Sequence, residues 1–333
     1  MQRILIDARP LADPTCGGIG KVARQWIIKK AQDKNNQYTC FTSGIKPSAI
    51  VETFCKQNNF QYYHIKLPNK YLTLKSILNF SLVNSILKKI GNFDLLLLPN
   101  IAYLGKMTLP YQILAHDLTF FIEPSWFSVK KRLWHKLIPI KKLYKEAQII
   151  DCVSNQTKKD LYTLLNIPSA KCQVFSPLTW NKEPITTNRP PDWLPKTALR
   201  FAIIFGGDNP RKNAKTAVSA ISYFNLQNPS QYITPIVLGG KIPTAQYLAY
   251  FQAPNFISNK ELAWLYQNST ALLYPSWYEG FGLPLHEANL FDLPIIASST
   301  GALTETAPPN TIFCNPTKIH EWITALQIVT KPH

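Results

Sequence analysis

Two glutamates eight residues apart, Glu279 and Glu287, bracket the stretch GFGLPLH that follows the apolar run Ala271–Tyr274. At roughly 100° per residue an unbroken helix would set the two carboxylates about 80° apart, and the glycines point to a helix that starts after Glu279. Glu279 then faces a crevice at the end of a strand, and Glu287 projects from the helix's second turn. The amides of Phe281, Gly282 and Leu283 form an open helix N-terminus able to hold anions or hydroxyl oxygens. Taken singly, each glutamate reads as readily as a solvated surface charge. His116 stands directly after another apolar run, Gln112–Ala115; a lone histidine there is more often a satisfied structural residue.

These side chains need elements that bring strand ends together. Short apolar runs recur with helical stretches between them: Arg3–Asp7, Tyr38–Thr42, Tyr62–Leu67, Asp94–Leu98, Gln112–Ala115, Ile149–Val153 and Gln173–Phe175, then Phe201–Phe205, Ile236–Leu238, Ala271–Tyr274 and Pro294–Ala297. That alternation predicts an α/β protein with parallel sheets wrapped by helices. The Pro-rich, aperiodic KEPITTNRPPDWLPK between the two sets reads as a linker. The expected division is residues 1–181, a linker over 182–198, and a second domain over 199–333. Ten of the 13 glycines sit in five spots: Gly17, Gly18 and Gly20; Gly206 and Gly207; Gly239 and Gly240; Gly280 and Gly282; Gly301. Most lie where a doubly wound sheet presents the carboxyl edge of its strands, the edge that binds ligands.

Composition bounds the rest. With 333 residues, 46% hydrophobic and only 17% charged, the chain can bury more than one core, which excludes disorder and fibrous repeats. No stretch is long and apolar enough to predict a transmembrane helix, and MQRILIDARP lacks the apolar run of a secretory signal, so a cytoplasmic location is expected. Cys16, Cys40, Cys55, Cys152, Cys172 and Cys314 are scattered without metal-ligand spacing and read as free thiols. Charge is uneven: residues 1–180 carry 25 Lys/Arg against 10 Asp/Glu, and residues 181–333 carry 11 against 9. Lys130, Lys131, Arg132, Lys136, Lys141, Lys142 and Lys145 surround apolar residues at helical spacing, with Pro139 expected to kink or restart the helix. The run reads either as a core-facing helix with a solvated basic side or as a contact for an anionic membrane surface. Nucleic acid is not expected, because no recognised module accompanies the charge.

PSWYEGFGLPLHEANLFDLPIIAS resembles the signature of the retaining family 4 glycosyltransferases, P-S-x-x-E-G-F-G-L-P-x-x-E-A. The likeness continues through ISNKELAWLYQNSTALLYPS before it and SSTGALTETAP after it, where Glu305 takes the place of the usual acidic residue. IIFGGDNPRKNAKTA is a second match: Lys212 stands at the family's lysine, Arg211 fits its P-R-K-N variants, and Gly207 occupies a position where the family commonly has Arg. RILIDARPLADPTCGGIGKVARQWI resembles the family's opening strand and its glycine loop, containing Gly18 and Gly20, with Lys21 replacing Arg. ILAHDLTFFIEPSWFS resembles the H-D-L segment that carries His116, and VSNQTKKDLYTLLNIPSAKCQVFSP resembles the V-S-x-x-S-x-x-D-L stretch with Thr157 for the second Ser. The resemblance runs from Arg3 to about Ile328 and is weakest over residues 45–110.

The resemblance implies a GT-B fold, two Rossmann-like doubly wound parallel-sheet domains facing a central cleft. It implies a metal-independent transfer of a mannose- or glucose-type hexose, with retention, from a nucleotide diphosphate sugar to a glycan or lipid-linked acceptor in cell-surface polysaccharide or glycolipid synthesis. Glu279 and His116 would lie beside the donor sugar, Glu287 would hold the ribose, and Lys212 with Arg211 would stabilise the leaving diphosphate. Gly18, Gly20, Gly206, Gly207, Phe281, Gly282 and Leu283 would complete the donor site. No cofactor beyond the donor and no metal is expected; no Asp-x-Asp occurs in the chain. The family normally continues beyond KIHEWITALQIVTKPH, so a terminal closing helix is expected to be missing. That keeps open a non-catalytic nucleotide-sugar binder or partner subunit. An NAD-dependent oxidoreductase rests on the N-terminal glycines alone, whose spacing is not G-x-G-x-x-G.

Overall fold

The apolar runs are the strands of two all-parallel sheets in a computed structural model that describes residues 1–12, 17–78, 82–177, 189–242 and 249–331. The described chain divides into two compact units, Met1–Thr179 and Trp180–His333. Cys16 and the 182–188 part of the expected linker lie outside the described residues. The rest of that stretch packs on the second unit: the Trp193 indole donates to Glu261 Oε1 at 2.8 Å and stacks on Phe251.

The first unit carries β1 (Arg3–Asp7), β2 (Gln37–Ser43), β3 (Gln61–Ile65), β4 (Leu95–Leu98), β5 (Tyr111–Ala115), β6 (Ile149–Cys152) and β7 (Cys172–Val174), in the order β3-β2-β1-β4-β5-β6-β7. The second carries β8 (Phe201–Phe205), β9 (Thr234–Leu238), β10 (Phe251–Gln252), β11 (Ala271–Tyr274), β12 (Ile295–Ser298) and β13 (Ile312–Cys314), in the order β10-β9-β8-β11-β12-β13. Parallel neighbours require crossovers, and helices covering both faces make the central strands, such as Leu95–Leu98 and Phe201–Phe205, apolar without alternation. Leu5, Leu96 and Ile113 are buried in the first core, and Ile204, Leu273 and Ile296 in the second. Cys40, Cys55, Cys152, Cys172 and Cys314 are free and buried.

In each sheet the chain starts near the middle, winds outward one way and returns to wind the other. The reversals lie between β1 and β4 and between β8 and β11. At such a switch point the loops leaving the two central strands diverge, which opens a crevice at their carboxyl ends.

Local signals set the helices. Ser258 and Glu261 form a reciprocal capping box at the start of the Asn259–Asn268 helix, and Ser154 accepts from the Thr157 amide at the start of Asn155–Leu165. The basic segment breaks where Pro139 predicts: one helix runs Val129–Leu137, and Pro139 caps a second, Ile140–Glu146. The second buries Ile140, Leu143 and Tyr144, whereas the first buries nothing. The core-facing reading therefore holds for one half of the basic run and fails for the other. Among the described residues no helix is long and apolar enough to cross a membrane.

Candidate active site at the second switch point

The loops leaving β8 and β11 converge because these strands are neighbours, with Ile204 level with Leu273. After β8 the chain turns at Gly206 and runs through Asn209 into one 3-10 turn, Pro210–Lys212. Asn209 caps that turn by accepting from the Arg211 amide, and Asn213 ends it in the left-handed conformation. Asn213 Nδ2 then donates to the Pro275 carbonyl at 3.1 Å, and the Trp277 amide donates to the Arg211 carbonyl at 2.8 Å. The two loops are thus tied by one side-chain amide and one backbone hydrogen bond before any charge is counted.

Across that tie Glu279 meets both predicted cations. Lys212 Nζ lies 2.7 Å from Glu279 Oε1, and Arg211 Nη1 lies 2.8 Å from Oε2. Arg211 also donates to the Tyr278 carbonyl at 2.6 Å. Burial alone would push the Glu279 carboxyl up; Arg211 and then Lys212 outweigh it and hold the carboxyl at about 2. Glu279 is therefore ionised throughout the physiological range, and the cluster of two cations and one carboxylate keeps one net positive charge.

Two glycines make this geometry sterically available. Gly206 has φ +78°, and a Cβ there would stand 2.3 Å from Lys212 Cγ, so the lysine stem occupies the space a side chain would take. At Gly301, φ +58°, a Cβ would stand 2.8 Å from the Glu279 carbonyl oxygen and 2.9 Å from its amide nitrogen. The Ala302 amide donates to that same carbonyl at 3.0 Å, fixing the Glu279 backbone from behind.

The expected helix start follows. The helix runs Leu283–Asn289, after Gly282, so Glu279 precedes it and Glu287 lies in its second turn. Thr306 donates to the Phe281 carbonyl, and the Phe281 ring stacks on His286, which burial holds down at about 4 and hence neutral. Glu287 Oε2 accepts from the Tyr266 hydroxyl at 3.0 Å. Gly207 packs against the Gly240 carbonyl, where a Cβ would fall 2.1 Å away.

Sequence reasoning missed two tyrosines. Tyr274, the last residue of β11, accepts a hydrogen bond from Lys212 Nζ and lies beneath it, with the ring centroid 4.5 Å away. Burial, and then the nearby Glu279 charge, push its hydroxyl well above the ordinary value, so it stays protonated. Phe205, at the end of β8, packs against Tyr274 and Tyr266, and thereby bridges the surroundings of the two glutamates. A tyrosine ending an otherwise aliphatic strand, ALLY, was the available signal.

The first unit holds the other predicted residues. Gly18 opens the Gly18–Lys30 helix, and Gly20 is buried, with the Pro10 carbonyl 3.2 Å from where its Cβ would be. His116 follows β5 and donates from Nε2 to the Pro99 carbonyl at 2.8 Å. Burial outweighs that bond and lowers its pKa, leaving a neutral ring with Nδ1 as the acceptor nitrogen. At the β1/β4 switch a cleft of about 260 Å³ is lined by Asp7, Arg9, Asn69, Asn100 and Trp134. Asp7 is buried and bound by Arg9 at 2.6 Å. The motif IDARP carries that pair, which spacing arguments passed over. Among the described residues, no group of three or more His, Cys, Asp or Glu side chains stands where it could hold a metal ion.

Residues 195–331, which carry every side chain of the Glu279 cluster, match the model of the glycosyl transferases group 1. The second unit is thus similar to the group 1 glycosyl transferases over the residues that build the cluster. The O-antigen chain mannosyltransferase B of Escherichia coli is 24% identical over 221 residues, 61% of this chain and 57% of that protein. The chain therefore spans little more than half the length of this curated relative. An Anabaena protein crystallised with UDP and glucose superposes with a TM-score of 0.64 at 15% identity, covering 98% of this chain and 89% of that one. A sucrose-phosphate synthase from Thermosynechococcus elongatus gives 0.68 at 16% identity, covering 99% and 90%. The two parallel-sheet Rossmann-like units are those of the GT-B fold.

Proposed function

We propose that this chain is a retaining glycosyltransferase moving a mannose- or glucose-type hexose from a nucleotide diphosphate sugar to a glycan or lipid-linked acceptor, in cell-surface polysaccharide or glycolipid synthesis. The observation that carries the reading is the fixed Arg211–Glu279–Lys212 cluster at the β8/β11 switch. As the bond from the sugar's anomeric carbon to the phosphate oxygen breaks, negative charge grows on the leaving diphosphate. Cations already held in place stabilise that charge without reorganising. The ionised Glu279 orients both cations and accepts from a sugar hydroxyl, and Glu287 accepts from the ribose hydroxyls. The acceptor oxygen attacks from the face the phosphate leaves, its proton passing to a phosphate oxygen, so the configuration is kept. The chain's own cations replace a metal clamp, and no cofactor beyond the donor takes part.

The E. coli relative is named a mannosyltransferase and the Anabaena structure holds UDP and glucose, which supports the hexose class for the donor panel. Thermal unfolding with UDP, GDP and ADP in parallel names the base, since a ligand at 100 times its Kd adds about 2.7 kcal/mol. Transfer from the matching nucleotide sugars, with and without EDTA, then tests the reaction. Glu279→Gln and Lys212→Ala are each expected to lower transfer at least about a hundredfold. Near wild-type rates in both, or activity abolished by EDTA and restored by a divalent ion, would overturn the reading.

A further inference from the structure

We infer that the Val129–Leu137 helix and the groove beside it form a docking surface for an anionic lipid bilayer. A helix of a folded domain ordinarily turns its apolar stripe to the core. Here Val129, Leu133 and Leu137 recur every four residues, roughly 40° apart around the axis, and are 71%, 57% and 51% exposed. No residue of this helix is buried. Phe121 and Ile122, just before it in the chain, are also exposed, at 40% and 36%. A groove of about 840 Å³ is lined by Phe120, Phe121, Phe127 and Leu133 together with Arg132 and Lys136.

Charge selects the occupant. Between Val129 and Glu146 stand seven cations and a single carboxylate, Glu146, which pairs with Lys142 at 3.7 Å. The cations alone would suit any polyanion. Aliphatic side chains set among them, with the exposed rings of Phe121 and Trp134 beside them, suit the boundary where acyl chains meet anionic headgroups. The surface belongs to the unit that holds nearly all the excess positive charge of the chain, and it does not depend on the sugar-transfer reading.

The test is co-sedimentation of the full chain with vesicles of phosphatidylcholine alone and of phosphatidylcholine with an equal share of phosphatidylglycerol. Binding is expected to the anionic vesicles only, and to weaken as salt rises. Arg132→Ala/Lys136→Ala should weaken it about 25-fold, near fivefold per cation removed. Leu133→Ser/Leu137→Ser should weaken it at least about tenfold with an unchanged far-UV spectrum, because neither leucine supports the core. Leu226→Ser, at a 77% exposed leucine of the Ala214–Gln227 helix in the second unit, should leave it unchanged. Equal binding to neutral and anionic vesicles, undiminished binding in either double variant, or tighter binding to RNA than to the anionic vesicles would overturn the proposal.

Discussion

At the β8/β11 switch the cations are few and turned inward: Arg211 and Lys212 have side chains 15% and 17% exposed, and both close on Glu279. In the Lys130–Lys145 run of the first unit seven cations stand at the surface, and Leu133 and Leu137 among them are exposed too. Net charge alone would draw attention to the first region. Burial singles out the second, because a carboxylate taken from water persists only where partners compensate it. The same residue types are thus closed into a buried ion-pair cluster in one unit and turned to solvent in the other.

The comparison breaks most sharply on leucines. Leu285, in the helix between the two glutamates, is fully buried. Leu285→Ala is expected to cost about 2–5 kcal/mol in urea unfolding of the second unit, with nucleotide binding weakened alongside because Glu287 stands on the same helix. A cost under 1 kcal/mol would mean that this helix is not held by the core as described.

The next largest effect is acid sensitivity. A carboxyl at about 2 in the folded chain and near its ordinary value when unfolded binds fewer protons folded. Its contribution is therefore complete above about pH 4.5 and disappears as pH falls toward 2, roughly 3 kcal/mol over that window. Glu279→Gln should flatten that part of the stability–pH curve. An unchanged curve would show that Arg211 and Lys212 do not hold the carboxyl as the distances imply. Gly206→Ala comes below this: positive φ costs about 1–2 kcal/mol, and the added methyl meets the Lys212 stem. Transfer should fall more than stability, which activity and unfolding measured on one preparation can separate.

Much of this was legible in the sequence, for definite reasons. The long central runs, such as Phe201–Phe205 and Ala271–Tyr274, became strands with the expected bounds because buried parallel strands have no polar face to blur them. Two strands escaped notice, Phe251–Gln252 and Ile312–Cys314. Both lie at sheet edges and are two or three residues long, too short to show a period. The meeting of Glu279 with Lys212, and with Arg211 beside it, spans 67 residues from the lysine; motif likeness named the residues, but only the β8–β11 pairing explains their contact. Asp7 with Arg9 lay two residues apart in plain view and went unread, since an acid at a strand end reveals its burial only once β4 closes beside β1.

The smallest expected effect is the most discriminating for the first unit. Leu133→Ala should change unfolding by no more than about 0.5 kcal/mol, because its side chain already meets solvent in the folded state. An ordinary core leucine would cost several times that. If urea unfolding of Leu133→Ala showed a loss of 2 kcal/mol or more, the helix would be packed against something in solution. The contrast between an inward-turned site and an outward-turned surface would then fail at its outward end, while the Glu279 cluster, in the other unit, would stand unaffected.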